Sequence, residues 1–134
     1  MWAQLWSQLG ERSDDELLRN GASGPEWTGK DVLAHLARWH DHAFDGIGAL
    51  LDAREPVSRS DYDDWNARWH VEDGALNPSE ARERCEASRA ALRELVAKLD
   101  VDRWDEAIHG WAGANMNGHY QEHLDEFAEV SWPD

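Results

Sequence analysis

The sequence predicts an all-α protein, a four-helix bundle with a short extra helix in the crossover between the second and third helices. Two observations carry this prediction. Apolar residues recur every three or four positions in several long segments, and helix start signals precede two of those segments. No segment predicts a β-strand. The prolines fall near gaps in the periodicity, so they punctuate a single domain spanning residues 1–134.

The N-terminal segment predicts the first helix. Its apolar stripe consists of Trp2, Leu5, Trp6 and Leu9. Gly10 is expected to end this helix. Ser13 and Glu16 then form a capping-box pattern for a short helical turn.

The second helix has the clearest start signal in the chain. Thr28 is expected to cap it with Asp31 at the third helical position, and Trp27 and Val32 stand at the two positions of a hydrophobic staple. The apolar stripe continues through Leu36, Trp39, Ala43, Ile47 and Leu50. This spacing is typical of packed helices.

Three further helical segments follow. Residues 61–70 predict the short helix in the crossover. The third long helix is expected to begin at Asn77 and Pro78, with Glu80 completing a capping box. Its stripe is Ala81, Cys85, Ser88, Leu92, Leu95 and Leu99. The last helix is expected over residues 115–131, with the apolar positions Met116, Tyr120, Leu124 and Phe127.

Charge and composition exclude several classes of function. The chain has 28 acidic and 13 basic side chains, a formal net charge of −15, so we expect neither a nucleic-acid partner nor binding to an anionic membrane. The longest apolar run, residues 46–51, is too short to span a membrane. The single cysteine, Cys85, excludes an intramolecular disulfide, and no secretory signal is recognisable. We therefore expect a cytoplasmic protein.

The histidines are the candidate functional residues. They are His35, His40, His42, His70, His109, His119 and His123. His119 and His123 lie four residues apart on a predicted helix, the spacing with which one helix supplies two nitrogen ligands to a metal ion. The same spacing also fits histidines that are hydrogen-bonded in the core or exposed at the surface.

A third metal ligand is expected from the second helix. His35 and His42 share nearly one face of that helix but lie about 10 Å apart along its axis, so one ion could use only one of them. His40 points about 140° away from His35 and is expected to be partly exposed. His70 and His109 are expected in connections, in solvated or capping roles. Glu122, Asp31 and Asn66 are candidates for orienting the ring N–H groups.

Some other side chains have two interpretations. The tryptophans at positions 39, 65, 69 and 111 either supply core area or form the wall of a pocket, and Trp39, one turn from His35, is the best candidate for a wall. Cys85 occupies a stripe position and is interpreted as a buried, inert thiol rather than a nucleophile. Ser58 and Ser60 lack the context of a nucleophile elbow.

Several segments resemble known proteins. Residues 27–39 (WTGKDVLAHLARW) look like the start of the second helix in DinB/YfiT-like four-helix bundle proteins, and residues 117–123 (NGHYQEH) look like their motif in the fourth helix. Residues 63–68 (DDWNAR), with the late Trp104 and the Ile108-His-Gly motif, are similar to the DfsB/ClbS-type subgroup. The resemblance covers nearly the whole chain.

The resemblance implies a bundle that is often dimeric and that binds a divalent metal ion, Zn or Ni, through His35, His119 and His123. A solvent-open pocket adjoins the metal in this family. We expect Trp39, Asn66 and Tyr120 to bind substrate. The family's activities include transfer or isomerisation with low-molecular-weight thiols. In the DfsB/ClbS-type subgroup they include hydrolytic self-protection against a reactive metabolite.

Three functions follow from these observations. The first is a metal-dependent transferase or hydrolase that acts on a small electrophilic metabolite, with a low-molecular-weight thiol as a possible partner. The metal would lower the pKa of a coordinated water or thiol and so generate a nucleophile near neutral pH. The alternative is a non-catalytic bundle that binds and sequesters a small molecule. The third is a purely structural, dimerising bundle. A homodimer is expected because so small a bundle cannot fully hide nine tryptophans.

Overall fold

The computed structural model describes residues 1–129, which form a bundle of helices with one small hairpin. In chain order the elements are α1 (Trp2–Gln8), α2 (Asp14–Leu17), β1 (Asn20–Gly21), β2 (Gly24–Thr28), α3 (Gly29–Leu51), α4 (Tyr62–Glu72), α5 (Pro78–Ala97), a 3₁₀ turn (Val101–Arg103), α6 (Glu106–Gly113), a π-turn (Ala114–Gly118) and α7 (His119–Glu129). Helix α3 packs along α5 and against α6, and α1 packs on α7. Helix α4 is the short extra helix of the crossover, so the predicted fold class is confirmed.

The three predicted capping boxes all form. In each, the side chain of the first residue accepts a hydrogen bond from the backbone N–H three residues on, and the acidic side chain accepts one in return. The pairs are Ser13 with Glu16, Thr28 with Asp31, and Asn77 with Glu80. These local signals set where α2, α3 and α5 begin.

The prediction that the chain has no β-strand is wrong in one place. Strands β1 and β2 form an antiparallel hairpin directly before α3. Gly21 and Gly24 adopt φ angles of 105° and 88°, a conformation that glycine reaches without steric cost. The strands are too short to show an alternating pattern in the sequence. The hairpin matters for the site because it carries Trp27 to the first turn of α3.

The last helix begins earlier than predicted. It starts at Glu106 and runs through the π-turn into α7, and residues 130–131 of the predicted helix lie outside the described part of the chain. In a regular α-helix, Ile108 and Tyr120 would point about 120° apart. The extra residue of the π-turn removes about 100° of that difference. Both side chains therefore point into the core, where they are 2% and 1% exposed.

The core consists of the predicted stripes. Buried positions on α3 and α5 include Leu36, Ala43, Ile47, Ala81, Cys85 and Leu92. Burial raises the pKa of the Cys85 thiol well above its ordinary value, so the thiolate is disfavoured and the thiol is inert, as expected. At Gly46, α3 closely approaches the Trp111 ring, which occupies the space of a side chain there.

Among the described residues, no helix combines the length and apolar character that crossing a membrane requires.

Candidate metal centre

The start of α3 places His35. The capping box fixes the first turn, and Lys30 and Asp31 in that turn are buried together with 3.2 Å between Nζ and Oδ1. Lys30 also donates from Nζ to the carbonyl of Gly74 at 3.0 Å, which ties α3 to the end of α4. His35 follows one turn later on this anchored segment. The ring of Trp27 meets the His35 ring edge-on, with 5.5 Å between centroids.

Helix α7 supplies the other two rings. His119 and His123 lie one turn apart, and their Nε2 atoms are 3.0 Å from each other. The Nε2 atom of His35 lies 2.7 Å from that of His119. One nitrogen from each ring can be chosen so that all three lie within 4.8 Å of one another. The structure thus brings the three predicted ligands together. We call His35, His119 and His123 the histidine triad.

Glu126 fixes the orientation of His123. Its Oε2 atom lies 2.8 Å from His123 Nδ1, and this hydrogen bond is the main cause that lowers the pKa of Glu126. A carboxylate only accepts hydrogen bonds, so Nδ1 of His123 carries the proton. In the neutral ring Nε2 then presents a lone pair to the other two histidines.

Burial keeps two rings of the triad neutral. It lowers the pKa of His119 to about 3, with a smaller contribution from the neighbouring His123 and His40. Burial is also the largest cause that lowers the pKa of His35 well below its ordinary value, followed by His119 and His123. Neutral imidazole is the form of histidine that binds metal ions.

The triad fits a divalent cation better than a network of hydrogen bonds. His119 Nε2 carries either one hydrogen or one lone pair, and His123 Nε2 carries a lone pair. At most one of the two short Nε2–Nε2 contacts can therefore be a full hydrogen bond. Nδ1 of His35 is also buried and makes no hydrogen bond of good geometry within residues 1–129, although the nearby Asn66 side chain acts to raise the pKa of this ring against the larger effect of burial. Three convergent nitrogen donors form a ligand set that zinc and nickel accept.

His40 corrects the expectation of a partly exposed side chain. It is 0% exposed because α5 and α7 cover it. Its Nε2 atom lies 2.7 Å from the Tyr120 hydroxyl and its Nδ1 atom 3.1 Å from Ser88 Oγ. Ser88 donates its own hydrogen to the carbonyl of Cys85, so its oxygen accepts from His40 and the tyrosine donates to His40. We call His40, Ser88 and Tyr120 the core histidine network.

The remaining histidines lie elsewhere. His42 contacts Arg59, with 2.6 Å between Nδ1 and Nη1, so His35 is the histidine of α3 that joins the triad. His70 and His109 were expected in connections, but they lie in α4 and α6. His70 is the last residue of the predicted crossover helix, which extends to Glu72, and His109 lies in a helix that was not predicted. The His70 ring stacks on Trp27 with 4.4 Å between centroids.

An open groove of about 1280 Å³ adjoins the triad. All three triad histidines line it, as do two of the expected substrate-binding residues, Trp39 and Asn66. The indole N–H of Trp39 donates to Asn66 Oδ1 at 2.9 Å, which fixes both side chains at the groove.

Tyr120, the third expected substrate-binding residue, lies in the core and not in the groove. It is 1% exposed, and its hydroxyl is engaged with His40. The expectation is wrong because consecutive helical residues point about 100° apart, so Tyr120 faces the interior where His119 faces the groove.

Glu126 is a residue of the site that the sequence analysis missed. Its spacing of three from His123 on one helix was the available signal. Of the proposed partners, Glu122 lines the groove, Asn66 pairs with Trp39, and Asp31 is used by the cap of α3.

Comparison with known proteins agrees with the fold. A model of the DinB superfamily matches residues 1–127. A search of curated proteins and a search of solved structures found no match. The family match covers nearly all of the chain, both elements that carry the triad included, and the chain therefore belongs to the DinB superfamily.

Proposed function

We propose that this protein is a metal-dependent enzyme, a transferase or hydrolase that acts on a small electrophilic metabolite. His35, His119 and His123 would hold one divalent ion, Zn²⁺ or Ni²⁺. The observation that carries the proposal is the convergence of three ring nitrogens at the wall of an open groove. A solvent-accessible groove beside convergent donors is the arrangement of a catalytic rather than a purely structural metal site.

A bound divalent ion would lower the pKa of a water or thiol and so supply a nucleophile near neutral pH. The chain's own residues do the rest. Glu126 holds the His123 ring by accepting from Nδ1, which keeps Nε2 available as a ligand. Asn66 accepts a hydrogen bond from the indole N–H of Trp39 and so fixes the ring, which offers an aromatic wall to the substrate.

More specifically, we propose that the protein belongs to the DfsB/ClbS-type subgroup and catalyses either hydrolysis or thiol-dependent transfer. Residues 63–68, which carry part of that resemblance, contribute Asp63, Asn66 and Ala67 to the groove. A low-molecular-weight thiol is the co-substrate of the transfer reaction. Both reactions need the same groove and the same triad.

Turnover of test electrophiles distinguishes the two reactions. Tag-free protein is stripped with EDTA, reloaded with Zn²⁺ or Ni²⁺, and assayed with monochlorobimane and L-cysteine, and separately with p-nitrophenyl acetate without thiol. We expect metal-dependent turnover of one reagent, lowered at least about 100-fold by His119→Ala. His109→Ala, which removes an exposed histidine outside the groove, is the matched control. Turnover that survives metal removal or His119→Ala contradicts the proposal.

The second candidate is a module that binds and sequesters a small molecule. The aromatic side chains Trp39, Tyr62 and Trp111 in the groove favour it, because they can hold a flat apolar ligand without chemistry. The two candidates differ in the double variant His119→Ala/His123→Ala. Undiminished ligand affinity in that variant, with no turnover in the wild type, supports sequestration.

We also propose a cytoplasmic homodimer. Six tryptophans of the described chain are only half-buried, which leaves indole surface for a partner subunit. They are Trp2, Trp6, Trp27, Trp65, Trp104 and Trp111. Sizing chromatography with light scattering is expected to give twice the chain mass of 15.3 kDa, and a monomer contradicts this part of the proposal.

A further inference from the structure

Arg59 is held in an unusual setting between α3 and α4. Its Nη1 atom lies 2.6 Å from His42 Nδ1. Its guanidinium carbon lies over the rings of Trp65 and Trp69, 4.7 and 5.7 Å from the centroids. A guanidinium over an indole face is stabilised by the electrons of the ring and is held in a defined orientation. The side chain also lines the groove beside the triad.

In the described part of this acidic chain, five arginines form ion pairs with carboxylates. The ion pairs are Arg12 with Glu16, Arg38 with Glu72 and Asp73, Arg54 with Asp52, Arg82 with Asp14, and Arg84 with Asp73. Arg59 has no ion pair with any residue of the described chain, although Glu55 and Asp63 line the same groove. Its Nε atom is buried and has no hydrogen-bonding partner there. A fixed cation with an unsatisfied donor is therefore left beside the groove.

His42 does not neutralise this charge. Burial, followed by the charge of Arg59, lowers the pKa of His42 to about 4, so the ring is neutral near pH 7. A neutral Nδ1 can accept a single hydrogen from Nη1. The guanidinium has five N–H donors in a planar fork that matches a carboxylate. One hydrogen of Nη1 is used by His42 and Nε is buried, so the two hydrogens of Nη2 and the second hydrogen of Nη1 are the donors left for a ligand.

We propose that Arg59 anchors a carboxylate of the molecule that binds in the groove. The fork of Arg59 would take the carboxylate, while the aromatic side chains of Trp39, Tyr62 and Trp111 would enclose an apolar body. The hydroxyls of Ser58 and Ser60 also line the groove and make no hydrogen bond within residues 1–129, so they can donate to the same oxygens. The inference rests on the proposed function in taking this molecule to be the substrate.

The anchor is separate from the triad. His35 and His42 are seven residues apart on α3, which separates them by about 10 Å along the helix axis, and Arg59 contacts His42. The carboxylate would therefore be held at a distance from the atom that reacts near the triad. Other charged side chains in the groove are acidic, namely Glu26, Glu55, Asp63, Glu122 and Glu126. In metal-free protein they would repel an anion placed elsewhere in the groove, which favours Arg59 as the position of the carboxylate.

A matched pair of probes tests the anchor. The dissociation constants of 2-naphthoate and 2-naphthamide are measured at pH 7 by NMR titration of metal-free protein, because the probes differ mainly in charge. We expect the wild type to prefer the carboxylate by about tenfold or more, and Arg59→Gln to bind both probes equally. Arg68→Gln is the control: Arg68 also lies over Trp65, at 4.5 Å, and carries the same charge, but it does not line the groove. It should keep the preference.

Three outcomes would overturn the inference. They are a wild type that does not prefer the carboxylate probe, an Arg59→Gln variant that retains the preference, and an Arg68→Gln variant that loses as much of the preference as Arg59→Gln does. If Arg59→Gln does not fold by circular dichroism, Arg59→Lys decides, since it keeps the charge and loses the fork; its preference must fall below that of the wild type. The titration is repeated with His119→Ala, which should keep the preference. A protein that binds no metal ends the proposed function but leaves the result at Arg59 standing.

Discussion

Two buried clusters that contain histidine both draw on α3 and α7 and differ in how their hydrogens are used. The triad takes His35 from α3 and two rings from α7, and the core histidine network takes His40 from α3 and Tyr120 from α7. In the network each donor meets an acceptor, from the tyrosine hydroxyl through the imidazole to the serine. In the triad, ring nitrogens face one another with too few hydrogens between them.

This difference separates a histidine with a structural role from one that could bind a metal ion. Burial alone does not separate them, because His40 is 0% exposed, and His119 and His123 are 9% and 5% exposed. The match between donors and acceptors does separate them. The network is complete without a further partner, whereas the triad would be completed by a cation under the proposed function.

The largest effect is expected when each group loses one ring. In metal-free protein, His40→Ala should lower the free energy of unfolding by about 3 kcal/mol, because it opens a buried cavity and leaves the Tyr120 hydroxyl unpaired. His119→Ala should cost no more than about 1 kcal/mol, since the site opens into the groove and a crowded nitrogen is removed. Urea denaturation at pH 7 measures both. Equal losses would contradict the comparison.

Lowering the pH should destabilise the protein, because the core histidine network holds His40 neutral. Burial, followed by the charge of Arg89, lowers the pKa of His40 to about 4, while an unfolded histidine titrates near 6.5. As pH falls below about 6.5, the unfolded chain takes up the proton first. The free energy of unfolding therefore falls between pH 6.5 and 4, by up to about 1.4 kcal/mol per pH unit for this residue.

Denaturation of metal-free protein at several pH values in this window checks the slope. His40→Gln, which cannot titrate, should show a shallower fall than the wild type. Identical slopes would mean that His40 does not carry this pH dependence.

Substituting Glu126, which orients His123, should lower the metal affinity and leave the fold intact. Glu126→Gln removes the charged acceptor of His123 Nδ1, and we expect a 10- to 100-fold loss of metal affinity, about 1.4–2.7 kcal/mol. Glu122→Gln is the matched control, because Glu122 lines the groove on the same helix and makes no hydrogen bond to a triad ring. Competition with a chromophoric chelator measures both variants. A similar loss in both would assign the effect to general charge.

The π-turn is the feature that both groups share, and it gives the smallest expected effect. Asn115 donates from Nδ2 to the carbonyl of Trp111 at 2.8 Å, which ties the π-turn to the last turn of α6. Asn115→Ala should cost about 1 kcal/mol of unfolding free energy and weaken metal binding several-fold, because the turn sets the direction of both His119 and Tyr120. Calorimetry and the chelator assay test it together. A loss of stability with unchanged metal affinity would contradict the link.

Local signals explain what the sequence analysis predicted correctly. Capping boxes and apolar stripes depend on residues three or four apart, and these place α2, α3 and α5. The triad was also predictable, because His119 and His123 are one turn apart and His35 lies beside the stripe of α3. The resemblance to DinB/YfiT-like proteins added that the two segments that carry these histidines occur in the order found in that family.

The predictions were wrong where the structure depends on contacts between distant residues or where the apolar stripe of a helix changes direction. Helix α6 was missed because the π-turn shifts the apolar stripe by about 100°, so no single period covers residues 106–129. The exposure of His40 was misjudged because the sequence does not show that α5 and α7 cover it. Tyr120 was misassigned because it follows His119 directly and therefore points about 100° away from it, into the core. Arg59 carries no sequence signal, since its setting is built from His42, Trp65 and Trp69 on two helices.

The central claim is that the triad binds a metal ion, and calorimetric titration of Zn²⁺ and Ni²⁺ into EDTA-stripped, tag-free protein tests it directly. We predict one ion per chain with a dissociation constant of about 1 µM or tighter, weakened at least about 100-fold by His119→Ala and unchanged by His40→Gln in folded protein. Absence of binding by both metals, or equal binding by the wild type and His119→Ala, would contradict the account.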